Sequence, residues 1–171
     1  QIADLYGGAT LLADTSATRG AFVRAAPDAA VIHVAGHALP DPREPRRSFL
    51  VLRPDRPGDT GALSAVDVVG LDLSGTRLIV LSVCRGVAGG DVGRESVSGL
   101  AAGFLAAGAG SVVASLWNVS DEATRDLMVE LHRRYRATGT PAQSLRAVQL
   151  AALQRGDPPA EWAGFTAYGH N

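Results

Sequence analysis

Three short runs of the chain are apolar and β-branched: Ala30 to Ala35, interrupted only by His33; Leu78 to Leu81, inside Arg77–Gly86; and Ser111 to Leu116. Each is too short for an ordinary helix and lacks polar alternation, which is how a strand buried on both faces of a parallel sheet reads. Between them the period lengthens to that of a helix. Asp14-Thr15-Ser16-Ala17-Thr18 supplies hydroxyl caps for a helix running to about Ala26, which Pro27-Asp28 ends. Ser64-Ala65-Val66-Asp67 has the Ser-x-x-acid form of a capping box, flanked by Leu63 and Val68 as a staple, and opens a short helix to about Gly70. Val97, Leu100, Ala101, Phe104, Leu105 and Gly108 recur at helical spacing, with small residues that let the helix lie close to a sheet.

The carboxyl-terminal part continues in the same way. Ser120, Asp121 and Glu122 suit the amino end of a helix with Leu127, Met128, Leu131 and Tyr135 on its apolar face, and Gly139 ends it. Thr140-Pro141-Ala142-Gln143 combines a cap, a first-turn proline and a reciprocal Gln ahead of a last helix. Asp157-Pro158-Pro159 breaks that helix, and Trp162 to Tyr168 is expected to close the chain as an edge strand. Ser48 to Arg53 reads as a short strand between two loops, the first from Leu39 to Arg47 and exposed. Strands alternating with helices predict a three-layer αβα sandwich around a mostly parallel sheet.

Composition narrows the function more than the fold. The chain has 171 residues, 46% of them hydrophobic, which suits one domain over residues 1–171. The first residue is Gln1, so a fragment or processed form lacking upstream segments is expected. A net charge of -1 gives no general pull toward nucleic acid or membrane. One cysteine excludes a disulfide framework and fits a reducing compartment, with cytoplasm as the default.

That cysteine, Cys84, sits where the Leu78 run ends and glycines crowd in at Gly86, Gly89, Gly90 and Gly93. The carboxyl end of a central strand is where open α/β sheets place their sites. A free cysteine there is either a nucleophile or a small buried hydrophobe. The Ala30 run likewise delivers Gly36-His37-Ala38. If the two strands are parallel neighbours, an imidazole and a thiol emerge at one edge, a sufficient nucleophilic pair. Amides of Cys84 and of a Gly36–Ala38 turn then suit an oxyanion.

Other chemistry has less support. No Gly-x-Ser-x-Gly elbow is present. His33 and His37 stand about 13 Å apart on a strand, which disfavours zinc and leaves His33 as a core histidine. The glycine pattern Gly103–Gly110 follows a helix and precedes a strand, the reverse of a dinucleotide loop, so no cofactor is expected. His132 and His170 read as surface residues, and Arg43, Arg46 and Arg47 as a solvated loop or a contact for an acidic partner.

Five segments taken together resemble the successive motifs of CHAT domains, caspase-like peptidases related to separase. They are Val31–His37, Leu81–Cys84, Val97–Ala109, Ser115–Asp121 and Trp162–Phe165. The resemblance implies a caspase-type fold, a Cys84–His37 dyad and a protein or peptide substrate. It also implies an upstream tetratricopeptide-repeat region or a regulatory partner. Asp121 lies in a motif similar to one that supplies acidic specificity in separase, which implies a contact with a basic residue before the scissile bond; capping its own helix is the competing role. Members often carry Thr-His-Gly and Cys-Glu-Thr, where this chain has Gly36-His37-Ala38 and Cys84-Arg85-Gly86. The alternative function is a caspase-shaped scaffold that holds a partner without cutting it.

Overall fold

The computed structural model describes residues 1–39, 41, 43–85, 95–117 and 119–170, with only the backbone of 84, 85 and 95–97. Among the described residues six strands form one sheet: β1 (Val31–Leu39), β2 (Phe49–Val51), β3 (Ala62–Ser64), β4 (Leu78–Arg85), β5 (Ser111–Ser115) and β6 (Phe165–Gly169). Six α-helices among the same residues accompany them: α1 (Arg19–Ala25), α2 (Ala65–Val69), α3 (Glu95–Ala106), α4 (Asp121–Thr138), α5 (Pro141–Arg155) and α6 (Pro159–Trp162). The strand order is β3-β2-β1-β4-β5-β6. The central pairs β1/β4 and β4/β5 are parallel, and β2, β3 and β6 add antiparallel edges.

Strand alternation divides the apolar residues between two layers. Ile79, Leu81, Val112 and Ala114 face a cluster with Phe22 of α1, Val68 of α2 and Leu100 and Phe104 of α3. Leu78, Val80 and Val113 face the other, with Leu127, Met128 and Leu131 of α4 and Leu145 and Val148 of α5. This is the three-layer αβα sandwich that the apolar runs predict, its sheet parallel in the centre.

Local chemistry sets the boundaries. Thr18 Oγ1 accepts the Ala21 amide at 3.1 Å and starts α1. The Ser64–Asp67 box forms in both directions, Ser64 Oγ accepting from the Asp67 amide at 3.1 Å and Asp67 Oδ2 from the Ser64 amide at 2.9 Å. Three expectations are corrected. Thr140 makes no side-chain cap; its hydroxyl donates back to the Thr138 carbonyl, and the start of α5 is tied instead by Ser144 Oγ to the Thr140 carbonyl at 2.8 Å. The glycines of α3 serve helix packing more than closeness to the sheet: a Cβ at Gly103 would stand 2.8 Å from the Ala65 carbonyl, and one at Gly99 would overlap that of Pro45. The expected loop Leu39–Arg47 is therefore not wholly exposed: its 3-10 turn Pro45–Arg47 packs on α3 through the half-buried Pro45, while Arg46 and Arg47 stay exposed.

Candidate active site

The candidate residues lie at the carboxyl ends of the parallel strands. The β1/β4 ladder runs from Val31 opposite Leu78 to Ala38 opposite Arg85, and in it His37 stands opposite Cys84. Neighbouring strands are about 4.8 Å apart, so these two backbone positions are immediate neighbours. His37 is exposed. Gly36-His37-Ala38 is not a turn: it continues β1, because β2 begins pairing at His37 opposite Val51 and holds the chain extended to Leu39. Ala38 consequently has a strand on either side, whereas Gly36 precedes the β2 ladder. The glycine-rich stretch after Cys84, Gly86 to Gly93, lies outside the described residues.

β5 is fastened to β4 just before the candidate cysteine, where Ser115 Oγ donates to the Val83 carbonyl at 2.9 Å. The chain then passes through Trp117 into α4, whose cap is Ser120, its oxygen accepting from the Ala123 amide at 3.4 Å. Asp121 and Glu122 occupy the first turn, where carboxylates complement the helix dipole. β5 lies on the opposite side of β4 from β1, so Asp121 follows the strand that flanks Cys84 away from His37.

Two of the sequence segments quoted above meet at this joint. Trp117 Nε1 donates to the Ala160 carbonyl at 3.0 Å. A Cβ on Gly164 would approach the Trp117 ring to 2.9 Å and Val119 Cγ2 to 3.0 Å. Only a glycine lets the chain entering β6 pass so near the indole, and that contact fixes the lead into α4.

The sequence reading fails at His132. It is fully buried rather than on the surface, on the stripe of α4 with Met128, Leu131 and Tyr135. His132 Nε2 and His33 Nδ1 share a hydrogen bond of 2.9 Å, and His132 Nδ1 meets the Tyr6 hydroxyl at 2.7 Å. Arg136 lies 5.7 Å from the centre of the Tyr6 ring. Burial, and then the nearby His132, pushes His33 down to about 3. Burial alone pushes His132 down to about 4. Both rings are therefore neutral near neutrality, as a shared N···N bond with one donor and one acceptor requires. The signal was in the spacing: positions 128, 131, 132 and 135 complete one helical face. His33 is satisfied by its bond to His132, as its place in β1 suggests, but it is half-buried rather than part of the core, and His170 is exposed as expected.

Helices on both faces of a sheet that is parallel at its centre, with histidine and cysteine on adjacent central strands, define a caspase-like α/β architecture. The chain belongs to the CHAT family, whose domain model matches residues 1–170. No curated protein matches it. Among the described residues no helix is long and apolar enough to cross a membrane.

Proposed function

We propose that this CHAT domain is a cysteine endopeptidase acting on a protein or peptide through Cys84 and His37. The observation that carries the reading is the β1/β4 register, which sets the two residues opposite one another at the carboxyl edge. The Cys84 thiolate attacks the scissile carbonyl carbon. As the C–N bond breaks, the amine leaves with a proton from the His37 imidazolium, and water then hydrolyses the thioester. The amides of Gly36, Ala38 and Cys84 are the oxyanion donors of this reading. Gly36 is the best placed of the two on β1, because the backbone of Ala38 is flanked by two ladders.

Asp121 binds a basic residue before the scissile bond. Its position supports this: it lies beyond β4 from His37, and the leaving group must depart on the histidine side. The single cysteine suits a reducing, cytoplasmic setting. A regulatory partner or an upstream repeat region would supply the trigger.

Iodoacetamide reactivity tests the dyad without a known substrate. Cys84 should alkylate at neutral pH at least tenfold faster than a free thiol, and His37→Ala should remove that excess while the circular dichroism spectrum is retained. An ordinary alkylation rate, unchanged in His37→Ala, would leave a caspase-shaped scaffold.

A further inference from the structure

The second helical layer leaves part of its sheet face bare. It covers β4, β5 and β6 and reaches the first half of β1, where His33 meets His132. Farther along, His37, Leu39 and Val51 stay exposed, with Leu39 at 37% and Val51 at 41%. The ladders place them together: His37 is opposite Val51, and Leu39 is opposite Phe49, which is half-buried. On the other face of the same strands Ala38, Leu50 and Leu63 are 4%, 0% and 0% exposed. A β-sheet half covered so thoroughly on one side and bare on the other holds an apolar surface for something to use.

We infer that Leu39 and Val51, backed by Phe49, form the subsite for the substrate residue that follows the scissile bond, and that this residue is apolar. The inference rests on the peptidase reading. If His37 protonates the leaving nitrogen, the chain beyond that nitrogen departs over β1 and toward β2, because Cys84 lies on the other side in strand order β2-β1-β4. The first side chains met in that direction are aliphatic. None of His37, Leu39, Phe49 and Val51 carries a carboxylate or a fixed positive charge to favour a charged residue. The selectivity is therefore hydrophobic, of the order of tenfold for one well-covered side chain.

Two peptidyl epoxides sharing one basic unprimed residue, and carrying either leucine or aspartate on the primed side, test this on the full chain. Thiolate attack opens an epoxide C–O bond and leaves a thioether on Cys84, whose formation mass spectrometry follows. The leucyl reagent should label at least tenfold faster than the aspartyl one. Val51→Lys, and separately Leu39→Lys, should abolish or reverse that ratio, each variant's two labelling rates being compared with one another. Both substitutions fall on exposed positions, so the fold tolerates them. Equal labelling by the two reagents, or a leucyl preference unchanged in both variants, would overturn the subsite and leave the peptidase standing. Labelling by neither reagent, with iodoacetamide reacting no faster than with a free thiol, would overturn the peptidase reading and the subsite with it.

Discussion

Mild acid should weaken this fold through two hydrogen-bonded imidazoles, His132 fully buried and His33 half-buried. In the native state burial depresses His33 to about 3 and His132 to about 4, whereas in the unfolded chain each returns to about 6.5. The unfolded state thus binds protons that the folded state refuses. Stability is full above about pH 7, declines as pH falls through 6.5, and goes on declining until the native rings themselves titrate. Two protons give a limiting slope of about 2.7 kcal/mol per pH unit, and the accumulated loss at pH 4.5 is about 5 kcal/mol. That matches the whole stability of a marginal domain. Carboxylates such as Asp41 and Asp59, held below their ordinary value by backbone amides, act at lower pH and do not blur the window. Urea unfolding followed by circular dichroism at pH 7.0, 6.0, 5.5 and 5.0 measures the slope. His132→Phe fills the site without titrating; it costs about 1–3 kcal/mol at pH 7 by stranding Tyr6 and His33, and should roughly halve the slope. A stability flat from pH 7 to 5, or a slope identical in His132→Phe, would refute the reasoning.

Three further outcomes follow from local packing. Gly164→Ala should destabilise by about 1–3 kcal/mol, because its new methyl meets the Trp117 ring and Val119, and quenching of tryptophan fluorescence in the folded protein should change with it. Gly36→Ala should instead leave the fold intact and raise urea stability by about 0.4–1 kcal/mol, since a Cβ there meets nothing within 4 Å. Ser64→Ala removes the cap of α2 and should cost about 1 kcal/mol in the same assay.

The apolar runs made β1, β4 and β5 legible, because a strand buried on both faces writes its burial into consecutive residues. Helical spacing likewise marked α3 and α4. β3 was not legible: three residues, Ala62 to Ser64, are too few for any period, and they become a strand only because β2 lies beside them. Register was invisible for a related reason. Nothing within Val31–Leu39 states that Leu78 will sit opposite Val31, since that alignment is chosen by both helical layers at once. His132 was misread because its neighbours Arg133 and Arg134 are surface residues, which masked its own place on the buried stripe. Thr140 shows that a capping pattern competes with nearby hydroxyls, here Thr138 and Ser144, which make their own bond of 3.0 Å.

The eight-rung ladder between β1 and β4 has a bearing on how defective variants should be judged. Sliding one strand by a single step would swap Ile79 and Leu81 with Val80 and Ser82 between the layers, a change too large to occur by degrees. The alignment is all or nothing. A variant whose strands have lost alignment will therefore betray it by melting.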